Sequence, residues 1–434
     1  MSKTVSMLAT EIDRRRDAII TFLQDLVRAS QRGESSVQQI VVDKARTLGC
    51  TVETVRYQPG DVPMMEEFAG NAAIDRTERE SVVARLTGTG HGRSIIFFAH
   101  PDSERVIGTE SWRRDPFAAS IENGRLYGWG VADDLAGVAI SIQALEAVVE
   151  SGLRPAGDVI VASTPSKRHA RGVSALLHRG LQADAAVYLH PAESGIGMRE
   201  IKAFASGQLE FRIVIEGSPP PTTEPLQTGF AHLAVSAIDK AFVVWRALKA
   251  LDERRAATVH HARLHKAVGR STNIMISYIS SGQPDRLAQV GGACVLGGAV
   301  SFPPPETLSE VQLQIEAAIT DAIRGDSWLS ANPPQLIWDS GVTGAEIPTD
   351  HPLFQTVAAA ITAVTGEPPR INPMHTGSDI RHPMVQKRIP TVGLGPLCGD
   401  LSQNGHTDEW VDVEDYVRSV KVAASVIATW CGEL

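Results

Sequence analysis

The sequence predicts an α/β protein: a doubly wound catalytic domain interrupted by an inserted layer of α+β structure. Three observations point there. Short strands of buried type alternate with amphipathic helices through most of the chain. The run Ile95-Ile96-Phe97-Phe98 leads straight into Ala99-His100-Pro101-Asp102, and open α/β sheets keep their chemistry just past the carboxyl ends of parallel strands. Near residue 204 the pattern changes to longer alternating strands with wide connections.

Each element has a local reason. Residues 5–31 place Ile12, Ile19, Ile20, Leu23, Leu26 and Val27 on one face, which predicts a single helix. A second helix over 36–48 ends at Gly49, and a strand follows at 51–57. The polar segment 58–79, with Pro59, Gly60 and Pro63, reads as an irregular excursion. Strands follow at 81–86 and 94–98, a helix at 136–150, a strand at 158–162, a helix at 172–181 and a strand at 185–189. The inserted layer begins with a strand at 206–215, then a helix at 234–251, strands at 270–278 and 294–302, and a helix at 310–324. The first domain resumes with a helix at 351–365, a strand at 391–394 and a last helix at 413–430. The expected boundaries are 1–203, 204–325 and 326–434.

At 434 residues the chain exceeds one typical core. No apolar run approaches the roughly 20 residues of a membrane span, and charges near the start break any signal-peptide core. Cys50, Cys294, Cys398 and Cys431 are scattered without metal-type spacing, as in a reducing compartment. A cytoplasmic protein is expected, with no membrane partner. The net charge of −9, with no basic run, argues against nucleic acid.

Two stretches carry chemistry. His100-Pro101-Asp102 closes one strand, and Gly130-Val131-Ala132-Asp133-Asp134 precedes the helix at 136–150; between them lie Trp112, Asp115-Pro116-Phe117 and Gly124-Arg125-Leu126-Tyr127-Gly128. Paired acids at a strand-to-helix turn can offer a carboxylate to a metal. Together these motifs resemble the acetylornithine deacetylase / succinyl-diaminopimelate desuccinylase / aminoacylase family of metallohydrolases. The resemblance extends over nearly the whole chain.

It implies a fold, a site and partners. The inserted layer corresponds to the family's lid or dimerisation domain, so a homodimer or higher homo-oligomer is expected. The family's two-metal site uses a His, a bridging Asp, a Glu, a second acid or His, and a late His. His100 matches the first ligand, and Asp102 the acid that orients its imidazole. Asp133 matches the bridging acid, after which relatives have a cis peptide. His190 matches the fourth ligand, and His406, in Gly405-His406-Thr407-Asp408-Glu409-Trp410, the late His.

The departure lies after the strand at 158–162. Relatives carry Glu-Glu there, a general base and a metal ligand. Here the stretch is Ser163-Thr164-Pro165-Ser166-Lys167-Arg168-His169-Ala170-Arg171-Gly172, which has no carboxylate in either register. A lysine that relatives have two residues after the bridging Asp is replaced by Leu135. A cation near the old ligand position repels a second dication. One three-ligand set survives, His100, Asp133 and His190, which implies one divalent ion per chain, manganese or zinc first among N/O-site metals. Asp102, His375 and His406 are the expected catalytic residues, with His169 a further stand-in for the lost Glu. Arg381 and Lys167, with Arg270 and Asn273 of the inserted layer, are expected to bind a small carboxylate-bearing substrate.

Three functions fit these residues. One is a one-metal hydrolase that releases an amine or ammonia from an activated substrate. It resembles those superfamily members that replace the aromatic amine of 5-nitroanthranilate with water activated on the metal. The second is an amidohydrolase, deacylase or dipeptidase with a substitute base. The third is a non-catalytic binding relative.

Overall fold

The structure is a computed structural model that describes residues 3–373, 375, 378–399 and 408–432. The chain forms two compact units. The first comprises residues 1–65, 71–204 and 346–434, and the second comprises 66–70 and 205–345.

The first unit is built on a six-stranded sheet. Its strands, in chain order, are β1 (Thr51–Tyr57), β2 (Arg79–Leu86), β3 (Ile95–Ala99), β4 (Val159–Ser163), β5 (Ala185–Leu189) and β6 (Thr391–Leu394). Their spatial order is β1-β2-β4-β3-β5-β6. The pairs β4–β3, β3–β5 and β5–β6 are parallel, while β2 runs antiparallel to β1 and β4. The central strands β3, β4 and β5 are buried along their whole length, as expected for sheets covered on both faces. The helix α4 (Ala136–Glu150) follows α1 (Lys3–Arg14), α2 (Arg16–Ser30) and α3 (Glu34–Thr47) in the chain. It is buried from Ala136 to Val148, the signature of a core helix with no wet face. The closing helix α5 (Val413–Cys431) packs against it.

The expected single helix over 5–31 is two helices. Arg15, at φ −98° and ψ 10°, interrupts it, a break that leaves the apolar pattern on either side intact.

The second unit carries a five-stranded antiparallel sheet in the order Asn273–Ser281, Ala293–Phe302, Gly207–Glu216, Gln335–Val342, Glu67–Ala69. The helices Ala237–Thr258 and Leu308–Arg324 cover its apolar face, with Val244, Leu248, Val311 and Ile315 in the core. The expected return to the first domain at residue 326 is therefore displaced to 346. The strand Gln335–Val342 pairs along Gly207–Glu216, and Glu67–Ala69 pairs with it in turn, so the segment read as irregular supplies a strand to this sheet. No described helix is long and apolar enough to cross a membrane.

Candidate metal centre

Parallel pairing assembles the site. In the sheet β3 lies between β4 and β5, with Ala99 level with Ser163 and Phe98 level with Tyr188. The carboxyl ends of three neighbouring strands thus bring His100, the turn through Lys167 and His190 to one edge of the sheet, the usual place for ligands in open α/β folds. Asp133 arrives from the turn before α4. Buried Glu409 shapes that turn, its carboxylate accepting the N–H groups of Gly130 (2.8 Å), Ala132 (2.7 Å) and Asp133 (3.2 Å). The Asp133–Asp134 peptide is cis. Gly137 lets the helix start close to β5: a Cβ there would lie 2.0 Å from the Leu189 carbonyl oxygen and 2.4 Å from Asp134 Oδ1.

Three ligand atoms converge. His100 Nε2 is 2.8 Å and His190 Nε2 3.3 Å from Asp133 Oδ1, and one ligand atom from each residue lies within 4.8 Å of the others. All three residues are buried. Asp133 Oδ1 nevertheless has no well-directed hydrogen bond among the described residues. Two ring nitrogens and one carboxylate oxygen thus face a common point, a donor set that suits a divalent cation.

Electrostatics agree with that reading. Burial would raise the Asp133 carboxyl, but Lys167, His100 and His190 hold it well below the usual range. Burial would lower the His100 imidazole, but Asp102 and Asp133 push it well above its ordinary value. His190 is brought down to about 4, by burial first and then by Lys202.

The surrounding contacts are specific. His100 Nδ1 meets the main-chain carbonyl of Asp102 at 2.8 Å, whereas the Asp102 carboxylate, expected to orient the ring, is 3.4 Å away. That carboxylate instead accepts from the backbone N–H of Ser166 (2.9 Å), from that of Lys167 (3.0 Å) and from the buried Arg79 guanidinium (2.8 Å). The Lys167 ammonium rests on Asp133 Oδ2, while Arg168 turns away to the Ser103 carbonyl at 3.1 Å. Behind His190, the fully buried Lys202 lies 2.8 Å from Nδ1 and 3.4 Å from Glu193. Glu193 also meets His375 Nδ1 at 2.5 Å.

The structure thus brings together His100, Asp102, Asp133, Lys167 and His190, with His375 joined to them through Glu193. Arg381 opens the short helix Arg381–Lys387 and bonds the Ser378 carbonyl at 3.0 Å. Its neighbour Asp379 accepts from Ser166 Oγ at 2.7 Å. His169 follows Arg168 in the same turn, with φ 53°. Arg270 and Asn273 belong to the second unit, where Arg270 pairs with Asp252 at 2.6 Å and Asn273 opens an exposed strand. His406 lies outside the described residues. Sequence reasoning missed Glu409, Lys202, Glu193 and Arg79. Only Glu409 had a signal, three residues after His406 in the closing motif.

Comparison with known proteins agrees with this architecture. The model of peptidase family M20/M25/M40 matches residues 96–429. N-formyl-4-amino-5-aminomethyl-2-methylpyrimidine deformylase of Halalkalibacterium halodurans is 22% identical, over 98% of this chain and 97% of its own. Succinyl-diaminopimelate desuccinylase of Alkalilimnicola ehrlichii is 24% identical, over 84% of this chain and 86% of its own. Among solved structures, the Bacillus subtilis YXEP protein, described as a dinuclear metal-binding peptidase, superposes with a TM-score of 0.60 at 14% identity, over 96% of this chain and 99% of its own.

Proposed function

From its membership of peptidase family M20/M25/M40, a family of metal-dependent hydrolases to which this chain belongs, we propose that it cleaves a carbon–nitrogen bond with one divalent ion per chain. The ion is manganese or zinc, held by His100, Asp133 and His190. The observation that carries this reading is the convergence of those three ligand atoms within 4.8 Å, beside a turn from Ser163 to Gly172 that contains no carboxylate.

A divalent ion bound there supplies Lewis acidity and, in the zinc case, lowers the pKa of water to about 7. The chain's own residues do the rest. The Asp102 carbonyl and Lys202 fix the two imidazoles from behind. Glu193 receives His375 Nδ1, and its companion Nε2 has no partner among the described residues. That nitrogen is one buried polar atom that a substrate could engage. Arg381, Arg270 and Asn273 are the proposed binders of a substrate carboxylate, and His406 is a proposed catalytic residue.

A general base contributes typically ~100- to 10,000-fold, so losing the Glu restricts the enzyme to bonds that are already electrophilic. One suitable class is a nitro-activated aromatic amine such as 5-nitroanthranilate, in which water replaces the amine and ammonia leaves. The other is a formamide, which the name of the full-length deformylase relative supports. The test is a panel of 5-nitroanthranilate, the N-formyl aminomethylpyrimidine, N-succinyl-diaminopimelate and N-acetylornithine. Turnover of one of the first two is expected, and turnover confined to the last two would refute the activated-substrate reading. Metal analysis is expected to give about one ion per chain, lost in His190→Ala together with turnover.

Self-association through the second unit belongs to the same proposal. The strand Asn273–Ser281 is an edge of its sheet, and Phe242, Tyr278 and Ile279 are 46%, 54% and 55% exposed beside it. An apolar edge is an aggregation hazard unless covered, and a second copy of this unit covers it. Sedimentation should give a dimer that Ile279→Lys converts to monomer; a monomeric wild type would rule this out.

A further inference from the structure

Asp133 uses its two oxygens differently. Oδ1 faces His100 and His190, whereas Oδ2 carries the Lys167 ammonium. The YXEP protein, with the same fold, binds two metal ions. Here the second oxygen of the Asp133 carboxylate is taken by a cation that belongs to the chain.

Lys167 is not a loose surface lysine that happens to reach an acid. Its side chain is only 20% exposed and Asp133's is 7%. Its backbone is fixed as well: the Asp102 carboxylate accepts the N–H groups of both Ser166 and Lys167. Arg79, 6% exposed, grips Asp102 from the strand β2 at 2.8 Å. The Ser166 hydroxyl is tied to Asp379 at 2.7 Å. A turn pinned at backbone and side chain leaves the ammonium little freedom to swing away, and a buried carboxylate loses much by giving up its partner.

We propose that Lys167 is the resident second cation of this centre, making it a metal–ammonium pair held in place by its pinned turn. The inference rests on the one-metal reading above and adds what occupies the second place and what keeps it there. The ammonium neutralises one oxygen of Asp133 and leaves the other to the metal. It also repels any second dication.

The test uses the full-length protein reloaded with manganese and read by metal analysis and electron paramagnetic resonance. Wild type should hold one uncoupled ion. Lys167→Glu, which puts a carboxylate where the ammonium sits, should take up a second ion and show the signature of an exchange-coupled pair. Lys167→Gln should stay at one ion but with an altered zero-field splitting, which Lys167→Arg partly restores. A folded Lys167→Glu variant that still binds one ion, or a Lys167→Gln spectrum identical to wild type, would overturn the proposal while sparing the one-metal reading. Two ions in wild type would overturn both. If Lys167→Glu does not fold, the Lys167→Gln spectrum decides alone.

Discussion

Glu34, Asp75 and Asp102 all lean on Arg79, at 2.5, 2.7 and 2.8 Å. One positive charge cannot balance three carboxylates in a partly buried site, so one of them holds a proton more readily than usual. Burial opposes ionisation of Asp75, but Thr77 and Arg79 bring it down to about 2; Asp102 is lowered as well. Glu34 goes the other way, pushed up to about 7 by burial and by Asp102. Its folded value thus lies above its ordinary 4.5. The stability it contributes is complete below the unfolded value and is lost as pH rises through the folded one. Thermal melts should show wild type losing stability between the two values relative to Glu34→Gln, and parallel profiles would contradict this. At this scale His100, Asp133 and His190 were legible because each ends a strand or opens a helix in a recognisable motif. Arg79, Lys202 and Glu193 were not, since each acts on a partner that only the tertiary fold brings near.

Two elements make sharper claims. The start of α4 has no room for a side chain at Gly137. Gly137→Ala would force the Leu189 carbonyl and the Asp134 carboxylate apart, an overpacking cost of about 1–3 kcal/mol. It should also weaken metal binding, because Leu189 and Asp134 adjoin the proposed ligands His190 and Asp133. Denaturant unfolding and metal titration of this variant check both effects. In the second unit, helix Leu308–Arg324 opens with a reciprocal box between Thr307 and Glu310. Thr307→Ala should cost about 1 kcal/mol in urea unfolding, with metal content unchanged. Strands and helices with clear apolar periodicity were legible to within a few residues; α4 and β5 match their expected ranges. The strand Gln335–Val342 was missed because its partner, Gly207–Glu216, lies more than a hundred residues earlier. Glu67–Ala69 was hidden within a stretch whose prolines and glycine read as loop.

Across the whole molecule, the alternation of strands and helices and the change of pattern near residue 204 were enough to anticipate an α/β body with an insertion. The point of return was not, because the returning chain pairs once more with the inserted sheet before leaving it. The placement of the proposed ligands also bears on the order of events in time. His100 and His190 stand at the ends of β3 and β5, which are parallel neighbours joined by a long segment that contains α4 and β4. Long-range parallel pairing is slow to form, and no two of these ligands are close in sequence. A metal ion therefore finds its full ligand set only after the sheet has closed. On the proposed ligand set, the ion is expected to act as a latch on a finished structure rather than as a seed for an unfinished one. Refolding of the chelated protein should proceed at the same rate with or without added manganese, while unfolding of the loaded protein is slowed. A refolding rate that rises with manganese in stopped-flow measurements would place metal capture before sheet closure instead.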